Sequence, residues 1–81
     1  MKKIVFIFFQ PPTIFHEQNY YFNELLKVNF EMEVWDITNI IFGDVTLPNE
    51  IDRYYIKKLY SKNEFKECFS KTDINDTIFI S

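Results

Sequence analysis

The chain has 81 residues, 12 acidic and 9 basic side chains, and a formal net charge of -3. That length allows one small domain, residues 1–81, and that charge excludes the broad cationic footprint of a nucleic-acid binder. At 47% hydrophobic and 20% aromatic, with 1 Gly and 3 Pro, the chain is too apolar for a disordered tail and is not collagen-like.

The single cysteine, Cys68, rules out an intrachain disulfide and a multi-cysteine zinc site. Alanine is absent, and Phe, Ile, Asn, Lys and Tyr dominate, as in a protein from an AT-rich microbial genome. So small a chain buries only about 60–65% of its unfolded surface. Its aromatic content therefore implies apolar surface meant for something outside it.

Met1-Lys2-Lys3 before Ile4–Phe9 has the outline of a targeting signal, but Gln10-Pro11-Pro12 breaks the apolar run. A signal core needs about 7–15 apolar residues and a small-residue cleavage site. A membrane span needs about 20. The expected compartment is the cytoplasm, with any membrane association indirect and Cys68 a reduced thiol. Ile4–Phe9 instead predicts a β-strand covered on both faces, as in a parallel sheet flanked by helices. Gln10–Thr13 predicts an extended loop, because its two prolines deny it helix.

Residues 15–28 follow a helical period, with Phe15, Phe22, Leu25 and Leu26 on one face and Asn29 as a stop. An alternative start at Asn19 would shorten this helix. Glu31–Ile37 predicts a second strand ending near Asp36, so the first half reads as a βαβ unit. Thr38–Asn49 is a long connection around Gly43-Asp44 and Pro48 with room for one helical turn.

Ile51–Tyr60 reads two ways. The alternation around Tyr54–Lys58 favours an edge strand protected by lysines. The spacing of Ile51, Tyr55 and Leu59 also suits a helix. Ser61-Lys62-Asn63-Glu64 is a capping box, with Tyr60 and Phe65 placed for a hydrophobic staple, so a separate helix starts there. That helix turns Phe65, Cys68 and Phe69 inward. Asp73–Asp76 is a turn, and Thr77–Ile80 is a further strand. The expected fold is a small Rossmann-like three-layer α/β domain. Its sheet is mainly parallel, with three to four strands and two or three helices.

The loop after the first strand has none of the glycines that admit a dinucleotide pyrophosphate, and Gly43-Asp44 does not continue as a P-loop. An acidic receiver pair and a flavodoxin-type phosphate loop are also missing. No cofactor or metal is expected. His16, the only histidine, lies just past the first strand, where open α/β sheets bind ligands. An imidazole there serves as a general base or as a hydrogen-bonding group. Asp36 ends the second strand at the same sheet edge, positioned for a sugar hydroxyl or for capping the next turn. Asp44 and Asp52 read as solvated loop charges. Trp35 and Tyr20-Tyr21-Phe22 suit sugar stacking but more commonly fill cores. Asn75 heads a glycosylation sequon that is irrelevant without export.

One ordered pattern runs through these segments. Lys2-Lys3-Ile4-Val5-Phe6-Ile7 is followed by Val34-Trp35-Asp36-Ile37, a long loop, Tyr55-Ile56-Lys57-Lys58-Leu59, Ser61-x-x-Glu64-Phe65 and Thr77-Ile78-Phe79-Ile80. It resembles the N-terminal Rossmann-like domain of GT-B glycosyltransferases from bacterial surface-polysaccharide biosynthesis. The resemblance implies an acceptor-side domain, not catalytic alone, that works with the remainder of its enzyme or a partner subunit. His16 is then the acceptor-side base, and Gln10, Thr13, Glu17 and Asp36 are the expected substrate-binding residues for a saccharide acceptor. Gln10-Pro11-Pro12 departs from the Gly-rich first loop of such enzymes. The rival expectation is a small non-catalytic module that docks on a partner or forms a homo-oligomer through open sheet edges.

Overall fold

The computed structural model describes residues 2–28 and 31–81. β1 (Lys3–Phe8), β2 (Glu31–Asp36), β3 (Ile56–Lys58) and β4 (Thr77–Ile80) form one sheet in the order β3-β2-β1-β4. Every pairing is parallel, and β1 runs the length of β2 from Lys3↔Glu31 to Phe8↔Asp36. The connections carry α1 (Ile14–Asn19), α2 (Phe22–Lys27), α3 (Thr38–Ile41) and α4 (Lys62–Ser70). This is a parallel, Rossmann-like α/β domain, as the strand patterns predict.

The continuous apolar run of β1 is explained by its two covered faces. Ile4, Phe6 and Phe8 point to one side, where Phe22, Met32, Val34 and Tyr55 close a core together with Leu25 and Leu26 of α2. Val5 and Ile7 point to the other, packed with Trp35, Leu59, and Phe65 and Cys68 of α4. Trp35 is therefore a core residue. Its indole Nε1 donates to Glu33 Oε1 at 2.8 Å, and Phe65 and Phe79 meet it edge-on. Burial works against the charge on Glu33. Bonds from Lys3 and Trp35, with the charges of Lys3 and Lys57, outweigh that and hold its carboxyl below the usual range.

The helix expected over 15–28 is two helices. Tyr21 between them adopts a left-handed conformation, φ 56° and ψ 42°. Residues 20 and 22 would sit on nearly opposite sides of a continuous helix. The break instead lets both rings meet Phe8, at 5.5 Å for Tyr20 and 6.1 Å for Phe22. The rings that meet Phe8 from this segment are consequently those of His16 and of Tyr20 just past α1, while Phe15 points to solvent. The stop expected at Asn29 lies outside the described residues.

The edge strand expected within 51–60 is present but short, and its lysines are both paired. Lys57 meets Glu33 at 3.3 Å and Lys58 meets Glu50 at 2.6 Å. Residues 49–51 run beside the Pro11-Pro12 loop. Ile14 N–H donates to Asn49 O, Ile51 N–H donates to Pro12 O, and Thr13 bridges Glu50. Ser61 caps α4 by accepting from Glu64 N–H at 3.2 Å. Glu64 reaches back one residue further than a standard capping box, to the N–H of Tyr60.

No helix among the described residues is long and apolar enough to cross a membrane.

Candidate functional site

In an open parallel sheet, ligands enter at the carboxyl ends of the strands, where the strand order reverses. Here β1 connects to β2 on one side and has β4 on the other, so the reversal lies between β1 and β4. A groove of about 580 Å³ opens at that place. Phe8, Phe9 and Gln10 at the end of β1, His16 of α1, Tyr20 just past α1, and Ile80 of β4 line it. Phe42, which follows α3, forms a further wall and is 64% exposed. Gly43 behind it takes φ +78°, the left-handed residue that ends many helices.

His16 is fixed by its neighbours. The Thr13 N–H donates to Nδ1 at 2.9 Å, and the Thr13 hydroxyl lies 3.0 Å from the same atom. This is a capping box in which His16 takes the position usually held by Glu or Gln. Phe8 meets the ring edge-on at 4.8 Å. Burial pushes the His16 pKa below its ordinary value. A neutral imidazole that accepts at Nδ1 carries its proton on Nε2. The Gln10 amide nitrogen lies 2.9 Å from Nε2. A half-turn of that amide exchanges its nitrogen and oxygen, and Nε2–H then donates to Gln10 Oε1. His16 thus presents no open lone pair to the groove. To act as a general base there, it would have to give up the Thr13 N–H.

The other expected residues are placed differently. Thr13 is buried behind the groove, committed to His16. Glu17 lies on the far side of α1, where Arg53 Nε donates to Oε2 at 2.8 Å and Tyr55 OH donates to the same atom at 3.2 Å. The hydrogen bond and charge of Arg53 hold the Glu17 carboxyl below its usual range. Burial and the nearby Glu17 push the Tyr55 hydroxyl up to about 12. This cluster ties residues 52–55 to α1. Asp36 is 4% exposed, and its Oδ1 accepts from both the N–H and the hydroxyl of Thr38. It closes the turn that leads into α3, one residue ahead of the N-cap Ile37 and beneath the surface. The structure therefore brings Gln10 and His16 together in the groove, with Thr13 behind them, and places Glu17 and Asp36 elsewhere.

Of the aromatic residues suited to sugar stacking, Tyr20 lines the groove, whereas Trp35 and Phe22 are core; Phe9, Phe42 and Ile80 line it without a sequence signal for that role. Phe42-Gly43 was a usable signal for a helix end with an exposed ring. The role of Ile80 depends on β4 lying beside β1, which no local pattern encodes. Among the described residues no group of three or more His, Cys, Asp or Glu side chains could hold a metal ion.

The fold and groove define a small Rossmann-like α/β domain. No known protein family, curated protein or solved structure matches the chain.

Proposed function

We propose that this domain binds a saccharide in the groove between β1 and β4, as the acceptor-side domain of a glycosyltransferase that is completed by further polypeptide. The observation that carries the reading is the groove's composition. Exposed aromatic rings of Phe9, Tyr20 and Phe42 surround a Gln10–His16 pair of hydrogen-bonding groups. A sugar ring offers the complement, with C–H faces for the rings and hydroxyls for the amide and imidazole. The glycosyltransferase part rests on the resemblance of the strand and cap pattern. In this reading Gln10, held by His16, orients a hydroxyl, and the base that deprotonates it comes from outside residues 1–81.

Amide-resolved NMR titration of the chain with mono- and disaccharides tests the reading, with a nucleotide-sugar as the donor-side control. The expected result is shifts confined to residues 6–10, 16–20, 42 and 80–81, induced by saccharides. Gln10→Ala then weakens binding by about tenfold, the loss of one good hydrogen bond. A spectrum that no saccharide moves refutes it.

A further inference from the structure

We propose that β4 pairs with β4 of a second copy in antiparallel fashion, joining two sheets into one of eight strands around a two-fold axis. This goes beyond the saccharide reading and does not depend on it.

The two edges of the sheet differ in kind. The β3 edge carries Lys57 and Lys58, each in an ion pair, a standard protection against further strand addition. The β4 edge is Thr77-Ile78-Phe79-Ile80, with no charge and no proline. Ile78 and Ile80 are in register with Ile4 and Phe6, on the face that α1 and α2 cover over β1. Those helices do not extend over β4, and Ile78 and Ile80 remain 47% and 42% exposed. On the other face Phe69 of α4 stacks on Phe79 at 5.4 Å and is itself 43% exposed. The open edge thus has an apolar strip above and below it.

Charge selects a second copy as the occupant. Lys66 is one turn before Phe69, the residue of α4 that stacks on Phe79 of β4, and by helical spacing shares its side of α4. Asp73 lies at the other end, in the turn that leads into β4. α4 links two parallel strands and so runs opposite to β4. Two antiparallel β4 strands therefore bring two antiparallel α4 helices side by side. Phe69 then lies near the axis, and Lys66 of each copy faces Asp73 of the other. An isologous contact of this kind is self-complementary and closed. It also sets the 73–76 turn of the second copy beside Ile80, one wall of the groove.

Sedimentation equilibrium of the full chain over a concentration series tests the proposal, with Trp35 fluorescence confirming that each variant is folded. The wild type is expected to dimerise. Ile78→Lys, at an exposed position, is expected to weaken the dimer at least tenfold. Lys66→Asp and Asp73→Lys should each weaken it, and the two together should restore it, because the pair is crossed between copies. A wild-type chain still monomeric at about 1 mM overturns the proposal. So does a dimer that Ile78→Lys leaves intact, or a double variant no tighter than the single ones.

Discussion

Asp36 offers the sharpest test of how the site was built, because its position suits a sugar-binding carboxylate and its contacts suit a cap. Its Oδ1 accepts from the Thr38 N–H at 3.0 Å and from the Thr38 hydroxyl, and all three groups are buried. Asp36→Ala leaves a buried N–H and a buried hydroxyl without an acceptor. Each costs about 1–3 kcal/mol, so a loss of about 3 kcal/mol is expected. That is a large part of the roughly 4–12 kcal/mol available to a chain this size. Asp36→Asn keeps an oxygen at the same place and forfeits only charge assistance, about 1 kcal/mol. Urea unfolding followed through Trp35, the only tryptophan and fully buried, reads both. At a slope of about 1.5 kcal/mol/M the alanine variant's midpoint falls by about 2 M, and the asparagine variant's by about 0.7 M. Equal midpoints for wild type and Asp36→Ala refute the capping account. So does a folded Asp36→Asn variant that has lost saccharide binding, since that would place the carboxylate on the ligand.

Two further outcomes are expected. Glu17, Glu33 and Glu50 all have carboxyl pKa values below the ordinary 4.5 in the folded chain. Groups depressed by folding contribute stability that is complete above the unfolded value and lost as pH falls through the folded one. The urea midpoint should therefore hold from pH 7 down to about 5 and fall below about 4.5, less steeply in Glu33→Gln; a midpoint flat to about pH 3 would contradict this. Tyr21→Asn should raise the melting temperature by several degrees. The left-handed backbone costs a non-glycine residue about 1–2 kcal/mol, asparagine tolerates it best, and the lost ring is 64% exposed. A lower melting temperature would show that the Tyr21 ring contributes more than its exposure implies.

What was readable in the sequence was local chemistry. The apolar run Ile4–Phe9 and the Ser61–Glu64 cap each specify their element through neighbours in the chain, and both elements are present. Ambiguity and error arose where tertiary structure reproduced a familiar period. Ile51, Tyr55 and Leu59 are spaced like a helix and all are buried, but the edge strand favoured by the alternation is what forms, as Ile56–Lys58, in a segment held by Pro12, Glu17 and Asp36. Phe15, Phe22, Leu25 and Leu26 suggest one helical stripe. The true packing breaks the helix at Tyr21 so that Tyr20 and Phe22 both reach Phe8. The site was half readable. Gln10 and His16 follow from the rule that ligands enter beyond β1. The Thr13–His16 box was missed because the rule looks for glutamate or glutamine at its third position.

That box bears on what the groove can do. A histidine beyond the first strand of a parallel sheet invites the role of a base, and a base must present a lone pair to its substrate. The backbone N–H of Thr13 occupies the Nδ1 lone pair of His16, and burial disfavours a second proton on the ring. What remains for the groove is Nε2–H, with the Gln10 amide beside it. With Nε2–H given to Gln10 Oε1, the rest of the Gln10 amide is free to orient a hydroxyl, and His16 accepts no proton while the cap is intact. The same bond that starts α1 therefore limits what His16 can offer the crevice, and the proposed saccharide reading accordingly takes its base from elsewhere. Thr13→Pro, which removes that N–H, would leave Nδ1 facing only the space of the lost hydroxyl and free the ring to change tautomer.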